Sequence, residues 1–197
     1  MLLLLSACYT PPDLPLLGTV PIVAAPAEGC RPDDDVTIEC TIDGDTFDIV
    51  NCGEGGERFR MLGVDAPETE KPGVAADCYA DEAWAWLTDR IEGEEVTVSF
   101  DRTCIDVYGR SLAYVWIRGD LFEAVVDDPE MQFYVWSWYE DPEEPAILLN
   151  EVMLGEGFAR QYPEEIAGTL IFQDRLDEAA RDAEQSGRGL YGACGGR

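Results

Sequence analysis

Val36-Thr37-Ile38-Glu39-Cys40-Thr41-Ile42-Asp43-Gly44-Asp45-Thr46 is the stretch from which the rest of the chain can be read. Its first seven residues alternate in polarity and are rich in β-branched side chains, the pattern of a half-buried strand. Asp43-Gly44-Asp45 is a turn signal, so Thr46 to Val50 is expected to return as a second strand. A further turn, Glu54 to Glu57, leads into a third strand from Arg58 to Val64, ending at Asp65-Ala66-Pro67. Ala80 to Ile91 then carries Ala83, Trp84, Leu87 and Ile91 at helical spacing, with Gly93 as its stop.

Glu95 to Phe100 and Ser111 to Ile117 read as strands, and Ile147 to Leu154 as a short helix. Leu170 to Gln185 is a longer helix with Phe172, Leu176, Ala179, Ala180 and Ala183 on one face and Gly187 as its C-terminal cap. Short strands interleaved with a few helices imply an α+β, mainly β, fold: a five-stranded barrel of OB type with three packed helices. Leu121 to Ala146 stands apart as an insertion, with eight acids and six aromatics. It reads as a hairpin folding its aromatics onto the barrel, or as a flap that meets a partner or stacks on bases.

Composition narrows the chemistry. The chain of 197 residues suits one domain with accessories, and 46% hydrophobic residues can supply a core. It contains no histidine, which removes hydrolases that use a histidine base or a histidine-bound zinc. There are 41 Asp and Glu against 13 Lys and Arg, a net charge of -28, and Lys71 is the only lysine. Such a balance argues against a protein that packages nucleic acid, whose affinity needs a basic footprint. It leaves room for a locally positive site, because surface charge is screened over roughly 8 Å.

Residues 1–8, Met1-Leu2-Leu3-Leu4-Leu5-Ser6-Ala7-Cys8, resemble the end of a bacterial lipoprotein signal with Cys8 as the lipidated residue. No base precedes the apolar run, so the signal is expected to be longer than this. Residues 9–34, with Pro11, Pro12, Pro15, Pro21 and Pro26, read as an extended linker. The folded domain is expected over 35–193, with a tail at 194–197. The implied location is outside the cytoplasm, as an envelope lipoprotein held to a membrane through Cys8 or as a secreted monomer. Six further cysteines then point to disulfides. Cys40 and Cys52 flank a hairpin and are expected to pair. Cys78 with Cys104, in loops beside the candidate site, and Cys30 with Cys194, at the two ends, complete the expected set.

The acidic turn, the end of the third strand and the turn Asp106-Val107-Tyr108-Gly109-Arg110 carry the chemistry. Calcium takes six to eight oxygens from carboxylates, carbonyls and water. Asp45, Asp65 and the Ala66 carbonyl are candidates to hold it. Glu68, at the rim, is placed to take a proton from water. Arg60 and Arg110 supply planar guanidinium groups that bond phosphate bidentately and stabilise the charge that builds at phosphorus. Separately these signals are weak: Asp-Gly-Asp-Thr is usually a hairpin turn, Asp-Ala-Pro-Glu a loop or helix cap, and Gly-Arg a surface pair.

In combination they resemble the staphylococcal nuclease (thermonuclease) family. Ile42-Asp43-Gly44-Asp45-Thr46, Phe59 through Thr69, Asp106 through Tyr114, Leu149-Asn150-Glu151 with Gly157, and Gly189-Leu190-Tyr191 carry the likeness. It implies an OB barrel with three helices that cleaves DNA and RNA with calcium. Asp45, Asp65 and Ala66 would hold the ion, Glu68 would be the base, and Arg60 and Arg110 would bind the scissile phosphate. Asp43 would stand behind the ion's ligands, and Tyr108 would contact the nucleotide. Val107 stands where the family often has a lysine for a terminal phosphate. Two rival readings are a non-catalytic OB module that binds a protein through the acidic aromatic insertion, and a sequence-specific nucleic-acid binder, which lacks the basic surface it would need.

Overall fold

The computed structural model describes residues 29–53, 55–118, 121, 146–163 and 169–195. The signal-like segment with Cys8, the linker before residue 29 and residues 122–145 of the insertion lie outside them. Strands β1 (Asp34–Thr37), β2 (Cys40–Thr41), β3 (Thr46–Asp48), β4 (Arg58–Met61) and β5 (Val64–Asp65) come first. Helix α1 (Ala80–Ile91), β6 (Glu95–Ser99) and β7 (Ser111–Ile117) follow. The chain closes with β8 (Ile147–Leu148), α2 (Leu149–Gly155), β9 (Arg160–Gln161), α3 (Gln173–Ser186) and a helical turn, α4 (Leu190–Ala193). Among these, no helix is long and apolar enough to cross a membrane.

The main sheet runs β1-β6-β7-β4-β3-β2, with β8 on β7, and β5 pairs separately with β9. No ladder joins β1 to β2, so the described strands form no closed barrel. The two are nevertheless successive arms of one bent segment: Ile38 N donates to Glu94 O at 2.9 Å, on the β6 side. Glu39 N donates to Asp48 O at 2.9 Å, on the β3 side. The single strand expected from Val36 to Ile42 is split because its backbone changes partner at this bend. The strand expected from Arg58 to Val64 is likewise broken at Gly63, whose φ of 72° suits glycine.

Alternation buries one face. Phe47 and Phe59 are directly opposed in the β3–β4 ladder and stack with centroids 5.3 Å apart. Around them lie Ile38, Met61, Leu87, Tyr114 and Trp116, all at most 1% exposed. Asn150, fully buried on α2, accepts from Val115 N at 2.8 Å and donates to Leu62 O at 2.9 Å. It thereby fastens α2 to β7 and to the corner between β4 and β5. α3 covers α2 through Leu176, Ala179, Ala180 and Ala183, and ends on Gly187 at φ 66°. It begins at Gln173, later than its apolar pattern suggested, and Ile147–Leu148 joins β7 as a strand before the chain turns helical.

Cys40–Cys52 pairs as expected. The other two expected pairs are wrong: the bonds are Cys30–Cys104 and Cys78–Cys194. Cys30 N donates to Asp101 O at 2.8 Å, which lays the N-terminal segment along the chain leading to Cys104. Leu190 N donates to Gly157 O at 2.8 Å, which seats α4, and Cys194 follows it within a Cα separation of 5.8 Å of Cys78. Each terminus is thus sewn to a different site loop instead of to the other terminus.

Candidate active site

The site grows from the β3–β4 hairpin and the corner after β4. In the Asp43–Thr46 turn, Ile42 N bonds Thr46 O at 2.8 Å and Asp45 N bonds the Asp43 carboxylate at 3.1 Å. Gly44 is required by space: a Cβ there would stand 2.7 Å from Ala66 Cβ and 3.1 Å from Ala83 Cβ. The turn can therefore lie flat against both the corner and α1. Asp45, only 4% exposed, accepts from Ala66 N at 2.7 Å and from Thr46 Oγ1 at 2.9 Å. Two neighbours on separate segments thus fix its carboxylate.

Arg60 is opposite Thr46 across the ladder, and its guanidinium reaches both acids. Nη1 abuts Asp45 Oδ1 as an ion pair, and Nη2 lies 3.3 Å from Asp65 Oδ1. Burial lowers the Arg60 pKa, with the nearby Arg110 charge adding to the effect while Asp43 and Asp65 oppose it. Burial raises the Asp43 carboxyl above its ordinary value, although Thr46 and the charges of Arg60, Lys71 and Arg110 counteract. These mutual effects place Asp43, Arg60, Lys71 and Arg110 in one electrostatic neighbourhood.

Arg110 is presented by a tight turn closed by Gly109 N to Asp106 O at 3.1 Å, with Gly109 at φ 84°. The Asp106 carboxylate takes Arg110 Nε at 2.7 Å, Arg110 N at 3.0 Å and Tyr108 N at 2.8 Å. Burial alone would raise the Asp106 pKa; these bonds outweigh it and hold the group below its ordinary value. Clamping Arg110 at Nε leaves its terminal nitrogens directed to other acceptors. Tyr108 is exposed at the tip, its ring centroid 5.4 Å from the Arg110 guanidinium carbon, and Val107 is 94% exposed.

Glu68 stands slightly apart. It is exposed, its Oε2 receives Lys71 Nζ at 2.6 Å, and no hydrogen bond or ion pair joins its carboxylate to Asp45, Asp65 or Arg60 among the described residues. Its backbone closes a loop: Asp77 N donates to Glu68 O at 2.9 Å, and Glu68 N to Asp77 Oδ2 at 3.3 Å. Asp45, Arg60, Asp65 and Ala66 are therefore in direct contact, Asp43 and Arg110 share their field, and Glu68 and Tyr108 stand on flanking loops.

Two neighbours escaped the sequence reading. Tyr162 has its ring centroid 5.9 Å from the Arg60 guanidinium carbon, and its N donates to Gly63 O at 2.9 Å. Arg160 is registered opposite Asp65 in the β5–β9 ladder. Neither has a local signal; the β5–β9 pairing alone brings them in.

The donor set is one a hard divalent cation accepts. Asp45 and Asp65 already share one cationic group. No three Asp, Glu or Cys side chains converge as an all-side-chain cage among the described residues. An ion there would draw its remaining oxygens from backbone and water, as calcium readily does.

Residues 58–192 match the family described as staphylococcal nuclease homologue. The chain belongs to that family. Its similarity to the thermonuclease of Staphylococcus hyicus is 28% identity over 150 residues, 76% of this chain and 71% of that protein. The thermonuclease of Staphylococcus intermedius is 39% identical over 85 residues, 43% of this chain and 50% of the relative. Endonuclease YncB of Bacillus subtilis is 35% identical over 145 residues, 73% of this chain and 56% of the relative. The chain thus spans from half to about seven-tenths of the length of these relatives. For a member of the staphylococcal nuclease family, the described fold is as expected at the level of a mixed, sheet-based α+β domain with three helices and an added helical turn.

Proposed function

We propose that this chain is a calcium-dependent nuclease that hydrolyses phosphodiester bonds of DNA or RNA with water as the nucleophile. The observation that carries the reading is the guanidinium of Arg60 held between Asp45 and Asp65, in the same electrostatic neighbourhood as Arg110. Asp45, Asp65 and the Ala66 carbonyl would hold the ion, which when bound supplies Lewis-acid polarisation of a phosphoryl oxygen. Asp43 adds negative charge behind that set. Arg110, clamped at Nε, would offer its Nη atoms to the phosphate, and Arg60 would supply the second guanidinium. Glu68 takes the proton as the water oxygen bonds to phosphorus and the P–O bond to the leaving nucleoside breaks. Tyr108 lies where a base or sugar can rest.

The relatives' names, thermonuclease and endonuclease, support this reading, as does the match over 58–192. The bent β1–β2 segment is read as one strand, completing a five-stranded barrel of OB type. Export and a lipid anchor on Cys8 remain part of the proposal on the strength of Leu5-Ser6-Ala7-Cys8. Labelled palmitate should enter the wild type and not Cys8→Ser; equal labelling would refute the anchor.

The direct test is cleavage of labelled single-stranded DNA and RNA with added calcium. Cleavage should stop with excess chelator, and persistence would overturn the role of the ion. Glu68→Gln and Arg110→Ala should each lower turnover by about 10²–10³ while leaving circular dichroism unchanged. Cleavage at the wild-type rate by both would overturn the site. The net charge of -28 favours a non-catalytic binding module, and absence of any cleavage would decide for it.

A further inference from the structure

The site's cations are not held alike. Arg60 is buried between two acids, and Arg110 is anchored at Nε by Asp106. Lys71, the chain's only lysine, pairs instead with Glu68 in the open, the two side chains being 57% and 59% exposed. It sits in the loop tied off by Glu68 and Asp77, where Lys71 and Val74 bond each other's backbone at 3.1 and 2.8 Å. Its bond to Glu68 raises its pKa and the Asp43 charge adds to this, while desolvation and the Arg110 charge oppose it.

An exposed ion pair is weak, on the order of 1 kcal/mol or less. An ammonium on a flexible stem with three donors can move to a better acceptor without demanding planar geometry. A phosphate is such an acceptor. While Lys71 remains bonded to it, the Glu68 carboxylate is partly occupied; when Lys71 leaves, both of its oxygens can serve the water. Four other described cations have acidic anchors elsewhere: Arg31 on Glu57, Arg58 on Asp48, Arg175 on Glu151 and Arg188 on Asp182.

We propose that Lys71 is a specificity-determining residue that exchanges Glu68 for the phosphate next to the scissile one, so that oligonucleotides with at least two phosphates are favoured over dinucleoside monophosphates. The proposal rests on the nuclease reading, since the exchange matters only if Glu68 acts on water. It also explains how an acidic chain engages a polyanion: through a movable charge added to the site's arginines instead of a basic surface.

The test compares thymidine dinucleoside monophosphate with a thymidine tetranucleotide, in excess calcium. Wild type should prefer the tetranucleotide in kcat/KM by about tenfold, the effect of one charge-assisted contact discounted for exposure, and mostly through KM. Lys71→Met should reduce that preference below about twofold, and Lys71→Arg should retain most of it. A role confined to stapling the loop would instead lower kcat on both substrates alike, and would overturn the proposal.

A binding readout is independent of turnover. An amine acylating reagent marks Lys71 apart from the N-terminus by peptide mass spectrometry, because there is no other lysine. Under chelator, the tetranucleotide should slow acylation of Lys71 severalfold, whereas a methylphosphonate tetranucleotide with a neutral backbone should not. Cleavage with no protection would refute the Lys71 proposal and leave the nuclease reading standing. Protection with no cleavage in calcium would overturn the nuclease reading and, with it, the part of Lys71 in substrate choice, leaving a phosphate contact alone.

Discussion

Replacing Arg60 by methionine removes the one positive group lodged between Asp45 and Asp65. Asp45 is 4% exposed and Arg60 8%, so the carboxylate left behind cannot simply turn to solvent. Breaking a buried pair from one side typically costs about 3–5 kcal/mol. Asp45 keeps its bonds from Ala66 N at 2.7 Å and Thr46 Oγ1 at 2.9 Å, which points to the low end, about 3 kcal/mol. Asp65 is exposed and recovers water, so its share is small. For a chain of this size that loss lowers Tm by roughly 6–12 °C. The assay is thermal and urea unfolding of Arg60→Met, Asp45→Asn and the double variant, in chelator. Removing both partners should cost less than the sum of the single changes by about 2 kcal/mol, because no bare buried charge then remains. Added calcium should restore part of the loss in Arg60→Met, since a cation can replace the missing one. Strict additivity of the two changes, or an Arg60→Met protein within 0.5 kcal/mol of wild type, would refute the contact as drawn.

Two further outcomes follow from contacts that hold the site in place. Asp48, 1% exposed, takes Arg58 Nε and Nη2 at 2.7 and 2.8 Å and Gly53 N at 2.8 Å. The Arg58 bond chiefly holds its pKa below the ordinary 3.8. A depressed carboxylate stabilises the fold above its unfolded pKa and loses that contribution as pH falls through the lower folded value. Asp48→Asn should therefore be less stable at pH 7 by about 1.5 kcal/mol, and the gap should close as pH falls below about 4. A gap equal at both pH values in urea unfolding would contradict this. Cys78→Ser with Cys194→Ser opens a bond spanning 116 residues at the foot of the Glu68–Asp77 loop. A loss of about 3 kcal/mol is expected, with turnover falling severalfold as the Glu68 loop loosens; an unchanged urea midpoint would exclude that role.

Much of the fold could be read locally. α1 and β7 have the boundaries their periodicity indicated, and α3 ends at the glycine chosen for it. These elements are set by side-chain spacing and by caps within a few residues, which a one-dimensional string contains. The candidate site residues were legible as types and order: an acid turn, a strand-end carboxylate, an arginine within a strand and another beside glycine. Their partners were less legible. That Asp106 would clamp Arg110 follows from a four-residue turn, but that Arg60 would lie between Asp45 and Asp65 depends on ladder register and on a corner at Gly63.

By itself, the sequence determined the type of most elements, the lack of histidine, the acidic charge and a candidate set of groups for phosphate and a hard cation. Tertiary structure alone decided how the other four cysteines pair, that β9 and the residue after it bring Arg160 and Tyr162 to the site, and that Asn150 joins α2 to β7 and to the corner after β4. The physical reason is separation along the chain. Spacing within an element fixes which face a side chain occupies, whereas contacts across dozens of residues depend on how those faces are buried together.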